Sequence, residues 1–401
     1  MKFKYLARTI DGKVQSGVVE SNGQRSAAAL VKSQNLTLIS LDEEKGGFSL
    51  NSLLSGLKGV SLNEVVNFTR QLATMISAGL SLSESLNILK QQIQNPQFKT
   101  IIQSVQADVS GGNSFSNALA MYPDVFDTTY ISLLTAGEAS GNLDDILIRL
   151  AEKLEKSRSF KSKLKGAMIY PMIVVIAMTG VMIVMVVFVI PKLTDMYDSL
   201  NIELPLPTQI LIGISNIVIN YWIFIIIGVV GFVVAFSYFK RTVTGKYTLD
   251  KIALKIPVFS KITKLGIYTE FTRTLSLLMK SGVSIVDALQ IVANSLGNVY
   301  FQEEVFEASR KVEKGIPLSE PIISSKYFPP IIGQMIAVGE RTGKIDEVLS
   351  KTSSYFESEA DQAVKNLSTA LEPIIMVMLG LMVGTLILSV ITPIYKLTSS
   401  F

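Results

Sequence analysis

The chain has 401 residues, 48% of them hydrophobic, and its 37 Lys and Arg against 33 Asp and Glu leave a net charge of +4; the mean hydropathy is +0.41. That apolar content exceeds what a water-soluble core needs and assigns part of the chain to lipid, and the small net charge argues against a nucleic-acid partner. There is no Cys and no His, which excludes disulfides, thiol nucleophiles, Ser-His-Asp triads and His-ligated zinc.

In chain order, Met1 to Lys13 carries charges every few positions and no apolar run of signal-peptide type, so the N-terminus is expected in the cytoplasm. Phe3, Tyr5 and Ala7 alternate, Asp11-Gly12 supplies a turn, and Val14 to Glu20 alternates again. With a short helix over Ser26 to Ser33 and a strand over Leu36 to Leu41, residues 1–41 read as a small α+β module. Residues 42–60, rich in Gly, Ser and Asn, read as a linker that holds a short amphipathic turn around Leu53, Leu54 and Leu57.

A helical domain is expected over 61–170. Ser61 with Glu64 three residues on has the pattern of a capping box, and Val65, Phe68, Leu72, Met75 and Ile76 follow at helical spacing. Gly79 is expected to end that helix in a left-handed conformation, and Ser81 with Glu84 to open the next. Further on, Leu143, Ile146, Leu147, Leu150 and Leu154 form the core stripe of a long helix directed at the bilayer.

Three uncharged runs of spanning length follow, since a helix needs ~20 apolar residues to cross ~30 Å of hydrocarbon. They are Met172 to Ile190 between Pro171 and Pro191, Tyr221 to Phe239, and Ile374 to Thr392 between Pro373 and Pro393. Spans are therefore expected at 171–191, 221–239 and 373–393, an extracytoplasmic loop at 192–220, a second helical domain at 240–372 and an extracytoplasmic tail at 394–401. Basic residues set the orientation. Lys153, Lys156, Arg158, Lys161, Lys163 and Lys165 precede the first span, and Lys240, Arg241, Lys246 and Lys251 follow the second. The loop between them has only Lys192 as a basic residue and carries Asp195, Asp198 and Glu203, and only Lys396 follows the third span. The N-terminus is thus expected inside and the C-terminus outside.

The chain also repeats itself. Phe68-Thr69-Arg70-Gln71-Leu72 lies over Phe271-Thr272-Arg273-Thr274-Leu275 at an offset of 203, and Gly79 and Gly112 fall on Gly282 and Gly315. At an offset of 202, Gly137-Glu138-Ala139-Ser140-Gly141 lies over Gly339-Glu340-Arg341-Thr342-Gly343, and Pro171 and Pro191 lie over Pro373 and Pro393. The fold class is accordingly mostly α: an integral membrane protein with two homologous cytoplasmic helical-bundle domains, three transmembrane helices and the small N-terminal module.

The segment FTRQLATMISAGLSL, the paired GExSG and GExTG turns and the opening FKYLARTIDGKVQSGVVE resemble the GspF/PilC family of inner-membrane platform proteins over nearly the whole chain. The chain departs from that pattern at Ser81 and Ser284, where many members carry Pro; Ser opens a helix as readily. The resemblance implies a non-enzymatic, homo-oligomeric platform in the bacterial inner membrane. It would gather a hexameric cytoplasmic assembly ATPase, other inner-membrane assembly proteins and pilin or pseudopilin subunits, with no cofactor. The filament, whether of a type IV pilus, a type II secretion system or a competence system, stays open.

The residues agree with that role. The nearest approach to a phosphate loop, Gly339 to Lys344, has one residue too few between its glycines and Ile345 where Ser or Thr belongs. A transporter would want more spans and intramembrane charges, and the three runs hold none. A membrane enzyme would want a duplicated acid pair, but Glu372 beside Pro373 matches Tyr170 in the other copy. Candidate partner-interface or turn residues are Arg70, Arg273, Gly137, Glu138, Gly141, Gly339, Glu340 and Gly343. In one reading the two acids dock a partner at exposed turns; in the other, Gly137 and Gly339 end a helix and each Glu caps the first turn of the long helix behind it. Gly380 and Gly384 form a GxxxG face on the third span, suited to helix packing.

Overall fold

The computed structural model describes residues 2–8, 14–21, 23–33, 37–43, 59–192 and 206–399. The Asp11-Gly12 turn, the turn around Leu53, Leu54 and Leu57, and Asp195, Asp198 and Glu203 lie outside the described residues. The chain divides into two compact units, 1–59 and 60–401.

In the first unit, strands β1 (Lys2–Arg8), β2 (Val14–Glu20) and β3 (Thr37–Glu43) form an antiparallel sheet in the order β2-β1-β3. Tyr5 stands opposite Gly17 on one side and Leu41 on the other, and the register slips between Leu6 and Ala7. Helix α1 (Gln24–Ser33) packs on the sheet, with Ala7, Ala27 and Val31 buried.

The second unit is helical. Its first copy comprises α2 (Leu62–Ser77), α3 (Leu82–Gln92), α4 (Pro96–Ser110), α5 (Phe115–Ala120), α6 (Thr128–Ser140) and α7 (Leu143–Val184). The capping box forms: Glu64 N–H donates to Ser61 Oγ at 3.3 Å, and Ser61 N–H donates to Glu64 Oε2 at 2.7 Å. Gly79 has φ 91°, one residue past the C-cap at Ala78. After α7 the chain returns through α8 (Leu206–Arg241) and α9 (Val243–Lys255). The second copy follows as α10 (Pro257–Lys280), α11 (Ile285–Ser295), α12 (Val299–Glu313), α13 (Ser319–Ile323), α14 (Pro330–Thr342) and α15 (Ile345–Ser399).

The duplication extends to the core. Phe68, Phe98 and Phe126 cluster with ring centroids 5.5 to 6.4 Å apart. Their counterparts Phe271, Phe301 and Phe328 do the same, Phe328 lying 4.7 Å from Phe271 and 5.2 Å from Phe301. All six rings are buried, and the two copies share one continuous apolar core.

Among the described residues three helices are long and apolar enough to cross a membrane: Leu143–Lys192, Asn220–Lys240 and Ile345–Leu388. Most apolar side chains of the three runs stand open, as Ile173 at 60%, Phe232 at 69% and Leu381 at 68% illustrate, an exposure that only lipid makes tolerable. Neither Pro171 nor Pro373 interrupts its helix; α15 continues for 55 residues, about 80 Å. The stretch 192–220, expected as a loop, is helical from Leu206. Its Ile212 packs on Val186 and Ile190 at the end of the first span, so an uncharged sequence there finds an apolar partner. At Met185–Val189 the first span widens into a π-helical turn, and buried Ser215 Oγ donates to Val186 O at 2.6 Å. A break at Tyr221 (φ −117°, ψ 16°) separates this packed segment from the span itself.

Candidate functional site

Each copy ties its first helix to its long helix with the same ion pair. Arg70 Nε and Nη2 meet Glu155 Oε1 and Oε2 at 2.6 and 2.5 Å, a two-pronged fork from α2 to α7. Hydrogen bonding to Glu155 raises the Arg70 pKa, and the same bonding from Arg70 lowers that of Glu155. In the second copy Arg273 Nη2 lies 2.8 Å from Glu357 Oε2, and the Arg273 side chain is only 14% exposed.

Glu357 also receives Lys156 Nζ, at 3.2 Å, from the other copy. Two further pairs join the copies: Lys153 to Glu270 at 3.0 Å and Lys163 to Asp361 at 2.6 Å. Burial pushes the Glu270 carboxyl up, but the Lys153 ammonium, hydrogen bonds from Lys153 and Thr274, and the nearby Arg273 together hold it below its ordinary value. Lys156 and Lys163 meet Glu357 and Asp361 at numbers that rise together, so α7 and α15 run parallel. A cleft of about 430 Å³ opens beside these ties, lined by Lys153, Lys156, Arg273, Lys280, Lys351 and Asp346 among others. Charged and open, it lacks the apolar walls of a small-molecule pocket. Among the described residues no group of three His, Cys, Asp or Glu could hold a metal ion.

The duplicated glycine turns differ from the helix-capping expectation. Gly141 and Gly343, at φ 72° and 70°, are the left-handed caps of α6 and α14. Gly137 and Gly339 instead lie inside those helices, where the next helix crosses closest. A Cβ at Gly137 would stand 2.9 Å from Ile146 Cγ1, and one at Gly339 would stand 2.8 Å from Ile345 Cα. Nor do the acids cap the helix behind them. Glu138 accepts from Phe115 N–H at 2.5 Å, from Ser116 N–H at 3.1 Å and from Ser116 Oγ, at the start of α5. Glu340 accepts from Leu318 N–H at 2.6 Å, Ser319 N–H at 3.4 Å and Ser319 Oγ at 2.5 Å, at the start of α13. The first turns of α7 and α15 carry their own acids, Asp144 with Asp145 and Asp346 with Glu347. The recurrence of Ser116 at Ser319 was the sequence signal for this arrangement. The Gly339 to Lys344 segment is the closing turn of α14, with Lys344 Nζ 3.4 Å from Glu347 Oε1, and forms no phosphate cradle. On the third span, a Cβ at Gly380 or Gly384 would meet nothing within 4 Å.

A duplicated helical body whose two long helices run on as parallel spans, tied to each other by ion pairs, defines a membrane scaffold. The family profile described as Type II secretion system (T2SS), protein F, matches this chain twice, at residues 68–191 and 271–393, and the profile of that protein's N-terminal domain matches residues 1–42. The chain is 35% identical to the type IV pilus assembly protein PilC of Thermus thermophilus over 397 residues, 98% of both chains. It is 35% identical to the PilC of Myxococcus xanthus over 399 residues, covering all of this chain and 95% of the relative. It is 28% identical to the type II secretion system protein F of Vibrio cholerae over 400 residues, 99% of this chain and 98% of the relative. The chain belongs to the GspF/PilC family of non-enzymatic assembly platforms.

Proposed function

We propose that this protein is the inner-membrane platform of a type IV pilus or type II secretion machine, and that it couples a cytoplasmic assembly ATPase to the insertion of pilin or pseudopilin subunits into a growing filament. The observation that carries the reading is the pair of parallel long helices, α15 running unbroken from the packed helical region through its span and α7 continuing through the π-helical turn at Met185–Val189 to the end of its own. A motor's displacement applied at the one end reaches the other through continuous hydrogen-bonded backbone. The pilus relatives run from 33 to 37% identity and the secretion relatives from 28 to 32%, a small margin on the side of a pilus-type filament.

In this reading the packed helices and both ends of the basic runs face the cytoplasm, and anionic lipid takes part in holding Lys161, Lys163 and Lys165 at the membrane surface. The open Gly380 and Gly384 face offers close packing to a helix of a neighbouring subunit.

The test is affinity capture of the tagged protein in mild detergent, with filament assembly scored in the deletion strain. Capture of a hexameric ATPase and loss of filaments are expected. Normal filaments without the protein would overturn the proposal. Because Glu138 and Glu340 are engaged within the fold, Glu138→Lys and Glu340→Lys should lower protein level in step with any lost capture. Normal level with lost ATPase would instead make these acids a docking contact.

A further inference from the structure

We infer that neighbouring chains dock by repeating the interface that joins the two copies inside one chain, so that the second copy of one protomer seats the first copy of the next. The duplication implies this whatever filament is served.

The internal interface is head-to-tail. Helix α6 and the long helix α7 of the first copy pack against α11 and α15 of the second, while the exchanged pair, α3 against α14, makes no comparable contact. A contact of this kind uses two different surfaces, and each copy possesses both. One of each is therefore left over: the α14/α15 face of the second copy and the α2/α3 face of the first.

The leftover faces have the character this requires. On the covered face of the first copy, Thr129, Leu133 and Lys153 are buried; at the equivalent positions, 202 residues on, Ile331 is 41% exposed, Met335 half-exposed and Tyr355 56% exposed. Lipid does not cover Tyr355, which lies 19 residues before Ile374, about 28 Å along the helix. The other face is a vacant groove. In the second copy, Gly266, Glu270, Ala360 and Asp361 are filled by Phe160 and Lys163, leaving about 60 Å³. Their counterparts in the first copy, Asn63, Asn67, Arg158 and Ser159, line an open groove of about 840 Å³. Charge is partly exchanged across the two sites, although Lys365 stays basic at the position of Lys163. Inside the chain a basic α7 meets Glu270 and Asp361, whereas the vacant groove carries Arg158 and Lys161, and the free long helix brings Glu359, which has no ion-pair partner among the described residues. Glu359 occupies the position of Ser157, a residue that lines the filled site.

Because α7 and α15 run parallel, the operation that carries the first copy onto the second keeps the spans in one bilayer and in one direction. Repeated, it builds an array with two repeats per chain, a ring where the rotation closes and an open row where it does not.

Cysteine pairing tests this in membranes, and the natural chain supplies a cysteine-free background. Lys163→Cys with Asp361→Cys should be bridged within one chain by a short bismaleimide, which verifies the fold and the reagent. The equivalent pair, Ser159→Cys and Lys365→Cys, and the pair Asn67→Cys and Tyr355→Cys should instead link chain to chain. Each should do so when the two substitutions reside on separate, co-expressed chains. A charge swap, Arg158→Glu with Glu359→Arg, should restore linking lost in either single variant. Internal bridging without links between chains would overturn the proposal, as would Tyr355→Cys linking to itself, the mark of a face-to-face contact. Absence of links between chains, with a Ser159→Cys thiol shielded from maleimide by anionic vesicles or by an acidic protein instead, would assign the groove to that occupant and overturn it likewise.

Discussion

Gly137 and Gly141 stand four residues apart and answer to different constraints, one to the crossing of a neighbouring helix and the other to its own positive φ. Gly141→Ala should cost about 1 kcal/mol, the ordinary penalty of a left-handed residue. Gly137→Ala should cost more, since its methyl group meets Ile146, and Gly339→Ala most, because the opposing atom is the Ile345 Cα and cannot rotate away. Thermal midpoints of the detergent-solubilised variants should follow that order; equal shifts would mean that the crossing relaxes freely. Glu270 adds a pH dependence. Its carboxyl is held below the ordinary 4.5 in the folded state, so its contribution is present above 4.5 and lost as pH falls through the lower, folded value. Glu270→Gln should therefore flatten the fall in thermal midpoint below about pH 4.5, and an unaltered acid limb would exclude this pair as a contributor.

Among the elements, the two intrarepeat ion pairs join equivalent residues in different surroundings. Arg70 and Glu155 are each about one-third exposed, and Arg70→Ala should cost no more than about 1 kcal/mol in water-screened surroundings. Arg273→Ala should cost about 2–3 kcal/mol, since it leaves a half-buried Glu357 with Lys156 alone. Denaturant or thermal titration of the two variants decides it, and parity would imply that burial adds nothing. The caps at Ser61, Ser81 and Ser284 were legible because a cap and its partner lie three residues apart. So were the three apolar runs. The interrepeat ties were not: Lys153 and Glu270 are 117 residues apart, and a basic residue ahead of a span reads equally well as a membrane anchor. The bonds of Glu138 were hidden likewise, because its partners Phe115 and Ser116 belong to the preceding helix, 23 and 22 residues back. The helical start of α8 was hidden because nothing local separates an apolar loop from an apolar helix that lies against Val186 and Ile190.

For the whole molecule, the charge flanks and the three spans predict a topology. Alkaline-phosphatase fusions should be active after Asn201 or Phe401 and inactive after Gly59 or Gly297; activity at Gly297 would break the three-span arrangement. Purified protein freed of contaminating ATPase should hydrolyse no nucleotide, since the glycine-flanked segment at 339–344 is a helix end. The unbroken course of α15 has a mechanical meaning as well. Its last ion pair with α7 among the described residues is Lys163 to Asp361, and 38 residues extend beyond it to Ser399. The helix is thus a beam resting on a fulcrum near one-third of its length, with the longer arm in the membrane. A tilt of ~5° about that point would carry the far tip sideways by ~5 Å, one turn's pitch, so small rocking at the short arm is geared up into a stroke the size of a helical step.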